Sequence, residues 1–152
     1  MGHYRLTART DASVEEAFAL WTNLERASEW IGGLTRVSDI TGPIDVVGTR
    51  YTSWFGKMSS PTEVVAVERP RLFRTRFGNR MLRGESQAVF EPDGRGTRIT
   101  QDFWTEGLIP GLMGRIFATG SYKGSFQGEL NEFARLATAQ ARSAEGEQGV
   151  QG

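Results

Sequence analysis

A chain of 152 residues with no cysteine can carry no disulfide framework, no thiolate nucleophile and no Cys-type metal site. Its 18 basic and 18 acidic side chains balance to a formal charge of zero, which argues against nucleic acid or an acidic membrane as the main partner. His3 is the single histidine, so His-pair metal motifs are excluded, a conventional His-based triad is disfavoured and no metal or other cofactor is expected.

No apolar run approaches the roughly 20 residues of a membrane span, and the N-terminus lacks the apolar core of a signal peptide. The opening Met-Gly suggests myristoylation, but Leu6 stands where that motif wants Ser or Thr. A soluble cytoplasmic protein is expected, with one domain over residues 1–142 and a Gly-, Gln- and Glu-rich disordered tail over 143–152.

Tyr4, Leu6 and Ala8 alternate with Arg5, Thr7 and Arg9, as in a half-buried strand. Ser13 and Glu16 make a capping box for a helix whose apolar face is Val14, Ala17, Phe18 and Trp21. A second short helix follows, with Asn23 as its cap, Leu24, Ala27 and Trp30 buried, and Gly32-Gly33 as its end. From Leu34 to Glu106 the period changes to two. Strands are expected at 34–41, 49–57, 62–68, 72–78, 82–91 and 97–106, broken by Gly42-Pro43, Gly56, Arg69-Pro70, Gly78-Asn79 and Pro92-Asp93-Gly94.

The stretch Leu108 to Ala141 reads as one long helix entered through Pro110. Leu112, Ile116, Leu130, Ala134 and Ala137 form its apolar stripe, flanked by Ile109, Phe126 and Phe133. The middle of that stripe is polar, with Thr119, Lys123 and Gln127 beside a ridge of Gly120, Gly124 and Gly128. Burying unpaired polar groups costs roughly 1–3 kcal/mol each, so the ends of this helix are expected to pack and its middle to roof a cavity. The predicted architecture is α+β: a helix-grip domain in which a curved antiparallel sheet of about seven strands (β-α-α-β6-α) wraps a long C-terminal helix.

Several stretches carry a family resemblance. They are Ser13-Val14-Glu15-Glu16-Ala17-Phe18 through Trp21, then Trp30, then Gly48-Thr49-Arg50-Tyr51. Val64 through Glu68-Arg69-Pro70, Phe90-Glu91-Pro92-Asp93-Gly94, Gly96-Thr97-Arg98-Ile99-Thr100 and Leu130 through Phe133 continue the match. Spanning nearly the whole chain, they resemble the START-like or SRPBCC superfamily, which includes bacterial polyketide cyclase/dehydrase and lipid-transport-type proteins and the plant pollen-allergen fold. The resemblance implies a deep pocket between sheet and C-terminal helix for a hydrophobic or aromatic small molecule. These motifs are caps, turns and core aromatics, so they specify fold more than function. The iron oxygenases of this fold need two histidines and a carboxylate, which one histidine cannot supply.

Alternation places Tyr51, Ser53 and Phe55 inward on one strand, and Phe73, Thr75 and Phe77 on another. Ser86, Ala88 and Phe90 follow on the next, and Ile99, Gln101 and Phe103 on the last. With Leu112, Ile116, Thr119, Gly120, Lys123 and Gln127 from the helix, these are the expected ligand-binding residues, a mostly apolar set with a few convergent polar groups. The competing reading is a packed core with hydrogen-bonded Ser and Thr. Lys123 in such a cavity favours an acidic or phenolic ligand or titrates low enough to act as a base; if the helix kinks at Gly120 and Gly124, it snorkels into water instead. The glycine series Gly111, Gly114, Gly120, Gly124 and Gly128 permits close approach of a ligand, a flexible lid or a helix–helix contact in a homodimer.

Trp21 and Trp30 are expected in the core, and Trp54 and Trp104 on the outer surface of the sheet. Asp102 and Glu106 are expected on a solvated face, as are Arg74 and Arg76 of the arginine run, and His3 is expected to be exposed and inert. The leading expectation is a carrier or sensor of a lipid- or polyketide-like molecule. The alternative is a metal-free cyclase or dehydrase using Tyr51, Ser53, Lys123 and Gln101. A weaker third reading is a co-chaperone-like domain with a filled interior and an exposed apolar patch.

Overall fold

The computed structural model describes residues 2–78, 82–107 and 126–151. Strand β1, Gly2–Thr10, has Tyr4, Leu6 and Ala8 half-buried and Arg5, Thr7 and Arg9 exposed, as its alternation requires. Helix α1, Val14–Trp21, starts with the capping box: Glu16 N donates to Ser13 Oγ at 3.1 Å and Ser13 N to Glu16 Oε1 at 3.0 Å. It buries Ala17, Phe18 and Leu20.

The second short helix is a 3₁₀ helix, Leu24–Glu29, and Asn23 makes no side-chain cap bond. The segment is only six residues between two core tryptophans, and backbone bonds of 3.1 Å (Arg26 N to Asn23 O) and 3.3 Å (Trp30 N to Ala27 O) close its turns. Gly33, at φ +80°, then turns the chain into the sheet.

The remaining strands are β2 (Arg36–Ser38), β3 (Arg50–Phe55), β4 (Met58–Glu68), β5 (Leu72–Gly78), β6 (Leu82–Asp93) and β7 (Gly96–Gly107). They form one antiparallel sheet in the order β1-β7-β6-β5-β4-β3-β2. β2 is shorter than expected because Asp39, at φ +56°, leaves the ladder and opens a loop to Thr49. β4 is longer, because it pairs with β3 back to Phe55↔Met58 across a turn containing Gly56 at φ +67°. A register shift between Val64 and Ala66 interrupts the β4–β5 ladder, the kind of irregularity that bends a strand.

Helix α2, Phe126–Gln151, lies over the sheet and buries Leu130, Phe133, Ala134, Ala137 and Ala141. Its predicted N-terminal part, 108–125, lies outside the described residues. The helix is continuous through 143–151, where the sequence alone suggested a disordered tail. Ala, Glu and Gln in that stretch are strong helix formers, and propagating an existing helix is easier than nucleating one.

The outer face corrects two expectations. Asp102 is not solvated: it is 2% exposed, lying under His3 and Arg5 of the neighbouring strand. His3 Nε2 donates to Asp102 Oδ1 at 2.8 Å and Arg5 Nε at 2.9 Å. Burial works to raise the pKa of this carboxyl, but the bonds from Arg5 and then His3 outweigh it and hold it below the usual range. His3 is therefore a partner, and its ring also stacks on Trp104 with centroids 5.0 Å apart. Trp54 and Trp104 do face outward, each beneath a guanidinium, Arg36 at 4.4 Å and Arg74 at 4.5 Å.

Candidate functional site

Strand register aligns the inner-face residues in rows. Phe90 and Ile99 pair with Ala8 at the end nearest α1, and Phe73, Ala88, Gln101 and Leu6 form the next row. Val64, Thr75, Ser86, Phe103 and Tyr4 follow, then Tyr51, Thr62, Phe77, Gly84 and Thr105. Ser53 and Ser60 pair beyond them. All twelve strand positions expected to face inward thus share one face, but they divide into two groups.

The group nearest α1 is packed solid. Phe18 meets Phe90 edge-on at 5.7 Å and Phe73 at 6.3 Å, and Trp21 meets Phe90 at 5.9 Å and Phe133 at 4.9 Å. Trp30 closes on Phe133 at 5.1 Å. Phe73, Ala88, Phe90 and Ile99 are buried beneath these rings as part of the hydrophobic core.

The other group is mixed and more open. Tyr51, Ser53, Phe55, Phe77 and Ser86 remain half-buried, while Thr62, Thr75, Gln101, Phe103 and Thr105 are buried. Gln101 Nε2 donates to Ser86 Oγ at 3.3 Å, tying two predicted residues together. Gly84 keeps the floor low: a Cβ there would lie 2.1 Å from the Trp104 carbonyl oxygen and 3.2 Å from Phe77 Cζ. Above the floor, Phe126 of α2 stacks on Phe103 at 4.0 Å.

Tyr51 is the informative member. Surrounding protein disfavours its phenolate and pushes its pKa well above the usual value. Yet among the described residues its hydroxyl has no hydrogen-bond partner, and no side-chain polar atom sealed from solvent lacks one. The hydroxyl is thus only partly covered and makes no bond to the described residues.

One part-buried carboxyl near the Phe55 end of this face escaped the sequence reading. Glu129, in the first described turn of α2, accepts a hydrogen bond from Gly32 N at 2.9 Å through Oε1. Gly33, next in the chain, lies against Phe55 of the inner face, with an added Cβ only 3.7 Å from the ring. Burial pushes the Glu129 carboxyl up to about 7, with the Gly32 N–H opposing the shift. Thr62 and Thr105 were missed as well; two-residue alternation with Val64 and Phe103 was the available signal. Glu129 had none, since its environment comes from a loop 97 residues away.

Gln127 does not join this face. Its side-chain amide donates to Thr7 O at 3.0 Å and to Asn131 Oδ1 at 2.9 Å, at the β1 edge. The reason is rotational: with Phe126, Leu130 and Phe133 facing the sheet, position 127 turns toward β1. Leu112, Ile116, Thr119, Gly120 and Lys123 lie outside the described residues.

Elsewhere, a surface groove of about 430 Å³ runs between β1 and α2, bordered by Arg9, Arg135 and Arg142. Arg9 and Arg142 both pair with Asp11, at 2.7 and 2.8 Å, and Arg135 pairs with Glu132. Ile40, Val46 and Val47 are exposed on the loop between β2 and β3. Among the described residues no cluster of His, Asp and Glu is suited to a metal, and no helix is long and apolar enough to cross a membrane.

A family model described as polyketide cyclase / dehydrase and lipid transport matches residues 1–138. The chain belongs to that family. Among solved structures it is similar to DynU16, from the dynemicin biosynthetic locus, at 19% identity and a TM-score of 0.66. The match covers 90% of this chain and 48% of DynU16, so the chain spans about half the length of that protein. TTHA0849 from Thermus thermophilus is 20% identical with a TM-score of 0.63, covering 94% of this chain and 99% of that one. Protein Q2Y8N9_NITMU from Nitrosospira multiformis has a TM-score of 0.68 at 12% identity, covering 93% and 99%. At these identities the likeness shows the fold alone. No curated protein matches the chain.

Proposed function

We propose that the protein binds a hydrophobic or aromatic small molecule, lipid- or polyketide-like, in the recess between the open half of the inner face and the start of α2, as a carrier or sensor. The observation that carries this reading is the Tyr51 hydroxyl, partly covered by protein, without a bond to the described residues and reached by solvent. Thr62 and Phe77 continue its row on the next two strands, Ser53 and Phe55 follow it along its own strand, and Ser86 and Phe103 share the face farther across the sheet, a mix of rings and short hydroxyls of the kind that small-molecule sites use. Membership of a cyclase/dehydrase and lipid-transport family supports the same class of ligand.

Native mass spectrometry of freshly purified protein tests it. A small-molecule adduct is expected on the wild type and its loss is expected in Ser53→Trp, which fills the recess. An adduct that persists undiminished in Ser53→Trp sinks the proposed location.

A second reading, cyclase or dehydrase chemistry in the same space, draws on Glu129, whose carboxyl is shifted to about 7, where a group both gives and takes protons readily. Turnover of a linear poly-β-ketone thioester, abolished in Glu129→Gln, would favour it. Tight binding without turnover keeps the carrier reading.

A further inference from the structure

The open half of the inner face has a polar character that follows from register. Arg5, Arg50, Arg74 and Arg76 stand on the opposite, outer face, where Arg74 and Arg76 engage Glu85 and Arg5 engages Asp102. Among the described strand residues, no cation faces the recess. Those residues offer it hydroxyl groups and the Gln101 amide, and beyond Phe55, at the Gly32-Gly33 loop, stands one carboxyl.

That carboxyl is half used. Glu129 Oε1 takes the Gly32 N–H, and among the described residues Oε2 has no partner. No sealed side-chain polar atom lacks a partner, so Oε2 is reached by solvent. It sits where the Gly32-Gly33 loop, with Gly33 against the Phe55 ring, meets the first described turn of α2. The backbone bond fixes the carboxyl, and its second oxygen remains free to accept. Hydrogen bonds to a fixed, partly desolvated carboxyl are stronger than those between neutral groups.

We propose that Glu129 determines ligand specificity, its free oxygen accepting a hydrogen bond from a hydroxyl-bearing aromatic ligand and repelling one that carries a carboxylate. The assignment rests on the recess reading above and deepens it, naming neutral hydroxyl-bearing aromatics over fatty-acid-like anions. Close like charges in a water-poor site are costly, whereas a hydroxyl placed there gains a contact.

Three matched probes test the idea by calorimetric titration at about pH 8.5, above the Glu129 pKa of about 7 so that its carboxyl is ionised: 2-naphthol, 2-methylnaphthalene and 2-naphthoate. Wild-type protein is expected to bind 2-naphthol about tenfold more tightly than either of the others, the scale of one polar contact in a desolvated site. In Glu129→Gln, whose one oxygen stays with the Gly32 N–H, the free position becomes an amide N–H₂ that donates, so the penalty on 2-naphthoate should fall and the preference for 2-naphthol over 2-methylnaphthalene should shrink. In Glu129→Leu both discriminations should vanish. Wild-type preference for 2-naphthoate would overturn the assignment, as would unchanged discrimination in both variants. Ser53→Trp separates the two readings. If it abolishes binding while the Glu129 variants keep wild-type discrimination, only the Glu129 role fails. If it leaves all affinities unchanged, or no probe binds wild-type protein, the recess itself is refuted and the role with it.

Discussion

The two halves of the inner face are built from the same strands and the same alternation, yet one is locked by interleaved aromatic rings and the other keeps several half-buried side chains among the described residues. The difference lies in what covers them. Over the Phe73–Phe90–Ile99 end lies α1, whose Phe18 and Trp21 rings interlock with Phe90 and Phe133. Toward the other end Phe126 of α2 stacks on Phe103, and Gly84, paired with Phe77, carries no side chain. Large apolar side chains dominate the first end, whereas the second mixes buried Thr62, Thr75 and Thr105 with half-buried Tyr51, Ser53, Phe55 and Phe77.

The largest expected contrast comes from deleting one ring on each side. Phe18→Ala empties a fully buried position and should cost about 3–5 kcal/mol in denaturant unfolding. Phe77→Ala removes a half-buried ring and should cost about 1–2 kcal/mol while weakening ligand binding. Equal costs would erase the distinction between the halves.

Next in size is the pH dependence contributed by Glu129. Its folded pKa, about 7, lies above its unfolded value, so the folded state holds the proton more tightly. The protonated carboxyl is accommodated in full below about pH 4.5, and stability is then lost as pH rises toward 7. Glu129→Gln should lose this slope and gain at most about 2–3 kcal/mol over wild type at pH 8, less where solvent screens the carboxylate. Melting curves at pH 5 and pH 8 check the sign, and parallel curves for the two proteins would contradict it.

Gly84→Ala should cost about 1–3 kcal/mol, because the new methyl meets the Trp104 carbonyl and no flexible side chain can yield in its place. The smallest effect sharpens the comparison most. Tyr51→Phe removes an unpartnered hydroxyl and should change stability by no more than about 0.5 kcal/mol, while affinity for 2-naphthol drops severalfold if that hydroxyl meets ligand. A large stability loss would mean that the hydroxyl belongs to the core.

Much of this is legible in the chain. The Ser13–Glu16 capping box and the Asp93-Gly94 hairpin are local signals, and the inward parity of Tyr51, Thr75, Ser86 and Gln101 follows from a two-residue period. Expectation and structure part where the deciding partner is distant. Asp102 and His3 look like surface residues in the sequence, although they meet across 99 positions of it. Gln127 looks like a roof residue because a helix pattern fixes spacing but not the rotation set by Phe126, Leu130 and Phe133.

The amino-acid order alone determined the elements, their succession and which side chains share a face, because caps, turns and periodicity act within a few residues. Only the tertiary structure decided which of those inward side chains are sealed by α1 and which stay half-buried among the described residues. It also decided that a glutamate one position before Leu130 is pressed against the Gly32 loop, where burial raises its pKa. Burial and desolvation belong to the packing of distant segments, and no local pattern encodes them.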